Sequence, residues 1–128
     1  MSQYVDIKVK VTSLPATLAA LKTLGLNAEC DATGKLRLET YNGSAVSDSA
    51  CHVKVDRGQL GGGNNDFGVN LGTGQVWMCD YAQQDKLSKF LQEYSYEVTK
   101  QHYADQGKYV YRQEDPVTGN IHVYVNGG

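Results

Sequence analysis

The chain has 128 residues, of which 41% are hydrophobic and 20% charged, with a formal net charge of −2. That length holds one hydrophobic core rather than two, and the apolar share excludes intrinsic disorder. The acidic balance excludes a general attraction to nucleic acid or anionic membrane, so either partner would need a locally basic patch.

No apolar run approaches the ~20 residues of a membrane-spanning helix. Cys30, Cys51 and Cys79 are odd in number and widely spaced, which fits reduced thiols better than a disulfide framework. The opening Met1-Ser2-Gln3-Tyr4-Val5-Asp6 has no signal-peptide character. Together these features predict a soluble protein of the cytoplasm with no membrane partner.

From Tyr4 to Val11, Val5, Ile7, Val9 and Val11 alternate with Tyr4, Asp6, Lys8 and Lys10, the period of a half-buried strand. Ser13 as a cap, Pro15 in the first turn and Leu14, Leu18, Leu21 and Leu24 at helical spacing predict a helix over 14–24 that Gly25 ends. Strands are then expected over Leu26 to Glu29 and Lys35 to Tyr41, around an Asp31-Ala32-Thr33-Gly34 turn. Cys51, Val53 and Val55 alternate with His52, Lys54 and Asp56 and make a further strand. Gly58 to Asn65 holds four glycines and two asparagines and reads as a flexible loop.

Phe67 to Asn70 and Gln75 to Cys79 form a hairpin about Gly72-Thr73-Gly74. A second helix is expected over Lys86 to Asp105, capped by Asp85, with Leu87, Phe90, Leu91, Tyr94 and Val98 as its apolar stripe and Gly107 as its stop. Lys108 to Arg112 and Asn120 to Val125 close the chain as a hairpin about Asp115-Pro116-Val117-Thr118-Gly119. Its Ile121, Val123 and Val125 share one face, and His122 and Tyr124 the other.

The order strand, helix, strand, strand therefore occurs twice, over about 1–57 and 66–126, with 58–65 between the copies of a single domain spanning 1–128. The expected fold is α+β: a mainly antiparallel sheet with two helices packed on one face. The opposite face would carry Lys8, Lys10, Lys35, Arg37, His52, Lys54, Tyr109, Tyr111, His122 and Tyr124.

Cationic and aromatic side chains on an open sheet can hold phosphates and stack bases, which makes Lys8, Lys10, Arg37, Lys54, Tyr109, Tyr111, His122 and Tyr124 the candidate binding set. The plainer reading is a solvated sheet face, with tyrosine present as a good strand former. Gly61 to Asn65 lacks the Gly-Lys-Ser/Thr ending of a phosphate loop. Cys51 and His52 are adjacent on a strand, so they point to opposite faces and make no metal pair. His102 and His122, with Asp105 or Glu114, could be paired as acid and base, but each is ordinary at a helix or strand surface and no activated nucleophile accompanies them. No catalytic residue, metal or cofactor is expected.

Met1 to Lys8 followed by Leu18, Leu21 and Leu24-Gly25, Asp66-Phe67-Gly68-Val69-Asn70, Asp80, Phe90-Leu91-Gln92-Glu93-Tyr94-Ser95-Tyr96, Ala104 with Gly107, and Gly119-Asn120-Ile121-His122-Val123 form a pattern along most of the chain. It resembles the conserved chloroplast reading-frame-thirty-five family of plastids, cyanobacteria, other bacteria and phages. Gln3-Tyr4 stands where that family commonly has His-Phe, the tryptophan often found after the Asp80 position is missing, and loop 58–65 looks like an insertion. The family brings no established reaction, so the resemblance implies a non-enzymatic accessory role and adds the plastid stroma as a possible location. The function expected is a protein-interaction module, its partner another protein or a second copy. The alternative is a binder of nucleotide, nucleic acid or another anion through the basic-aromatic face.

Overall fold

The computed structural model of the chain describes residues 4, 9–60, 64–79 and 89–126. In chain order the elements are α1 (Leu14–Thr23), β1 (Glu29–Cys30), β2 (Val53–Val55), a 3-10 turn (Arg57–Gln59), β3 (Phe67–Asn70), β4 (Gln75–Trp77), α2 (Phe90–Ala104), β5 (Tyr109–Glu114) and β6 (Ile121–Asn126). The class is α+β, as expected. Hydrogen bonding divides the strands into two antiparallel sheets, a four-stranded one in the order β1-β2-β3-β4 and the two-stranded β5-β6.

Helix α1 begins where its capping chemistry predicts. Ser13 Oγ accepts the Ala16 N–H at 3.2 Å, Pro15 lies in the first turn, and Gly25 ends the helix at φ +77°. Its buried face is Ala16, Thr17, Ala20 and Leu21; of the leucine stripe Leu21 is buried, Leu18 and Leu24 pack against the core at its margin, and Leu14 is 39% exposed. The reason is tertiary: α1 packs beside α2, and that contact selects the face. Thr17 satisfies its buried hydroxyl by donating to the Ser13 carbonyl at 2.7 Å.

One apolar core joins α1, α2 and one face of the four-stranded sheet through Leu21, Val53, Val55, Phe67, Val69, Phe90 and Tyr94. The rings of Phe67 and Phe90 meet edge to face at 5.0 Å. The second face of this sheet is covered as well. Leu38, Cys51 and Trp77 form a second buried cluster, with Tyr4, Leu36 and Val46 packed against it. A Cβ on Gly68 would come within 2.7 Å of Cys51 Sγ and 2.8 Å of Leu38 Cδ1, so the covering segment sits directly on β3.

That covering segment corrects two expectations. Lys35 to Tyr41 is no continuous strand and makes only the single bridges Leu36 to Cys51 and Glu39 to Ala45. Side chains have taken the ladder's place: Ser49 Oγ accepts the Leu38 N–H at 3.0 Å and Asp66 Oδ2 accepts the Glu39 N–H at 2.8 Å. The flexible loop expected over 58–65 is anchored where it is described. Asn64 and Asn65 are buried; Asn64 Nδ2 donates to the Leu60 carbonyl at 2.7 Å and Asn65 Oδ1 accepts the Tyr41 N–H at 2.8 Å.

Most of the first predicted strand, residues 5–8, lies outside the described residues, as do Asp85 and Leu87 of the second predicted helix. Tyr4 bridges Cys79, and Val11 N–H donates to the Gly74 carbonyl at 2.9 Å. Val9 is 47% exposed while Val11 is fully buried, so the alternation does not extend through Val9, where the chain bends. On α2 the buried set is Phe90, Glu93, Tyr94 and Glu97, and Val98 is exposed. Two carboxylates thus occupy ground the apolar stripe was expected to hold, because the β5-β6 hairpin packs on α2 and brings Arg112 onto Glu93.

Candidate interaction surface

The β5-β6 hairpin is built around Asp115. Its Oδ1 accepts the N–H groups of Val117 at 2.7 Å and Thr118 at 3.0 Å, and its own N–H donates to the Asn120 carbonyl at 2.8 Å. Gly119 supplies the left-handed residue, at φ +75°. The amides of Thr118 and Val117 hold the Asp115 carboxyl below its usual range. The ladder then runs in register from Glu114 opposite Ile121 to Tyr109 opposite Asn126.

Alternation along that register gives the hairpin two different faces. Toward α2 it presents Val110, Arg112, Glu114, Ile121 and Val123. Arg112 pairs with the buried Glu93, and Lys89 pairs with Glu114. Gln92 Oε1 accepts the Ile121 N–H at 2.6 Å. The outer face carries Tyr109, Tyr111 and Gln113 beside Tyr124 and His122. The three tyrosines are 67%, 42% and 42% exposed, for Tyr109, Tyr111 and Tyr124. They form a row, with Tyr109 and Tyr111 centroids 6.0 Å apart at 26° and Tyr111 and Tyr124 5.2 Å apart at 20°. At the turn end His122 Nε2 lies 4.0 Å from Asp115 Oδ2.

Of the candidate binding set, the structure brings together Tyr109, Tyr111, His122 and Tyr124. The cations of the set that are described lie elsewhere. Lys8 is outside the described residues. Lys10 packs its Cβ at Gly74, Arg37 Nη1 donates to the Ser49 carbonyl at 3.3 Å, and Lys54 Nζ stands 3.7 Å from the fully buried Asp66. Lys54 pairs with Gly68 in register, which puts it on the sheet face that the 35–50 segment covers. A single open basic-aromatic face is therefore not what the described residues form.

The chemical alternatives also find their places. Cys51 is buried, and burial pushes its thiol up to about 12, while His52 Nδ1 accepts the Leu71 N–H at 3.0 Å. His122 and Glu114 point to opposite faces of the hairpin, because Glu114 pairs with Ile121 and His122 with Gln113. Among the described residues no group of three or more His, Cys, Asp or Glu side chains is placed to hold a metal ion. Nor is any helix among them long and apolar enough to cross a membrane.

A cavity of about 310 Å³ opens between Leu14, Cys30, Asp31, Ala32, His52 and Leu71. Sequence reasoning did not anticipate it, nor the buried acids Asp66, Glu93 and Glu97, since periodicity reads a charged residue as solvent-facing. For Asp66 the available signal is its place directly before an apolar strand. Compared with protein-family models, with curated proteins and with solved structures, the chain matches none.

Proposed function

We propose that this protein is a non-catalytic accessory module that recognises another protein through the outer face of its β5-β6 hairpin. The observation that carries this reading is the row of Tyr109, Tyr111 and Tyr124, stacked and exposed on a hairpin whose other face is tied to α2. Tyrosine presents a large, stiff, amphipathic surface at small entropic cost, which is why it concentrates at protein interfaces. Packing against α2 orders the rings before a partner arrives, lowering the cost of association. Three free cysteines fit a reducing compartment, cytoplasm or plastid stroma. The family resemblance along the sequence supports the accessory role.

The alternative, binding of nucleotide, nucleic acid or another anion, would use the same rings for stacking. It is disfavoured because Lys54 sits on the other sheet, where Asp66 engages it, and Arg37 lies in the segment that covers that sheet, donating to the Ser49 carbonyl. A displayed library of extended peptides, selected on the full chain, tests the two readings together. Selected peptides should bind at least ~10-fold more weakly to Tyr111→Ser and Tyr109→Ser, a loss of the size expected at an interface anchor. Peptides indifferent to both substitutions, or a stronger hairpin-dependent affinity for short single-stranded oligonucleotides, would overturn the proposal.

A further inference from the structure

Among the described residues strand β6 has one partner, β5, so its other side is a sheet edge there. The hydrogen bond from Asp115 N–H to the Asn120 carbonyl sets the alternation of the ladder. Bonded pairs follow at Gln113 with His122 and Tyr111 with Tyr124, which turns the N–H and C=O of Ile121, Val123 and Val125 outward. Gln92 Oε1 occupies the Ile121 N–H. For Val123 and Val125 no other described segment supplies a partner, and Val125 is 40% exposed.

Natural edge strands are usually blunted by lysine, proline, a bulge or a cover. Ile121-His122-Val123-Tyr124-Val125-Asn126 has neither lysine nor proline, and it pairs with β5 without a bulge. It also carries no carboxylate, arginine or lysine, so a like strand approaching it meets no repulsion between fixed charges. We propose that this edge joins a second copy of the chain, antiparallel about a two-fold axis at Tyr124. This rests on the hairpin being the recognition element and sets a second copy of its tyrosine face beside the first.

The register follows from which groups are free. With the axis at Tyr124, Val123 of each copy exchanges two hydrogen bonds with Val125 of the other, using all four outward groups of those two residues and none of Ile121. Centring the axis on Val123 would require the Ile121 N–H that Gln92 already holds. The same register sets the two Tyr124 residues directly opposite one another as a non-hydrogen-bonded pair, with Cα atoms ~4.5 Å apart. The row of Tyr109, Tyr111 and Tyr124 then runs on into its symmetry mate. An isologous two-fold contact of this kind closes at the dimer.

The test uses the full chain with Cys30→Ser, which removes the exposed thiol. Tyr124→Cys should give a disulfide-linked dimer on mild oxidation, and His122→Cys, on the same face two residues away, should not. In sedimentation the parent should pass from monomer to dimer as concentration rises. Val123→Pro removes an outward N–H that β5 does not use and should shift that transition at least ~10-fold upward in concentration while the circular dichroism is kept. A chain that stays monomeric and fails to cross-link through Tyr124→Cys overturns the proposal. If selected peptides still need Tyr111 in that case, protein recognition stands without the second copy; if they do not, both fall. Cross-linking through His122→Cys instead would overturn the register.

Discussion

Asp66 and Arg57 meet twice: the carboxylate accepts the Arg57 backbone N–H at 2.8 Å and stands 3.5 Å from its guanidinium. Asp66 is fully buried and also accepts the Glu39 N–H, and its backbone carbonyl accepts the Tyr4 hydroxyl at 2.6 Å. Three distant segments are tied at this one residue, two of them at its carboxylate. Asp66→Ala should cost about 2–3 kcal/mol, because it strands two part-buried amides and removes the partner of Arg57 and Lys54. Asp66→Asn, which keeps an acceptor, should cost less. Urea unfolding of both variants checks the order, and equal losses would mean the hydrogen bonds are not what matters.

Arg112 pairs with Glu93, which is only 2% exposed, and its guanidinium lies 5.6 Å from the centre of the Tyr96 ring. Arg112→Ala leaves a buried carboxylate without its partner. A loss of about 2 kcal/mol is expected, below the range for fully buried pairs because Arg112 is partly solvated. Hydrogen exchange should show β5 and β6 losing protection before β2 and β3 do. Uniform loss across both sheets would contradict the pinning of the hairpin by α2.

Gly68 lies under Leu38 and Cys51 with no room for a Cβ. Gly68→Ala should therefore destabilise by about 1–3 kcal/mol through overpacking. If the variant is as stable as the parent, the second face of the four-stranded sheet is not covered as described.

Cys30 is exposed, whereas Cys51 and Cys79 are buried. Burial also raises the Cys51 thiol to about 12, so the reactive thiolate is scarce there at neutral pH. Alkylation of the native protein should modify Cys30 rapidly and the other two only on unfolding, as read by mass spectrometry. Rapid labelling of Cys51 in the native state would refute its burial.

Three acids around the turns are depressed below their ordinary range: Asp31 by the Thr33 amide and hydroxyl, Asp115 by the Thr118 and Val117 amides, and Glu114 by Lys89. A depressed folded-state value means that the charged form is favoured by folding. The stability this contributes is complete above the ordinary carboxylate range, ~4, and is lost as pH falls below it. Thermal melts should be flat from neutral pH to about 5 with respect to these groups and fall below 4. Asp115→Asn should weaken the acid dependence of the hairpin signals, and an unaltered profile would remove Asp115 as a contributor.

Much of the fold is legible in local chemistry. Ser13, Pro15 and Gly25 bracket α1, the Asp31 and Asp115 turns close as their side chains dictate, and Phe67 to Asn70 is a strand along its whole predicted length. The outward placement of Tyr109, Tyr111, His122 and Tyr124 also follows from period two alone. These features depend on residues within a few positions of each other, so propensity and capping report them directly.

Whatever depends on a remote partner was decided by the tertiary structure. Alternation at Lys54 says that the two sides of β2 differ; it does not say that a segment from 35 to 50 covers the polar side and that Asp66 meets the lysine there. The same holds for Glu93, a charged residue that reads as exposed until Arg112 arrives from β5, and for the division of the strands into two sheets. Sequence by itself determined α1, α2 and strands β2 to β6, the turns that join the hairpins, and the tyrosine face. Packing decided which polar groups are buried, which cations are engaged and which strand edge remains open, because burial and pairing belong to contacts between segments and not to either segment alone.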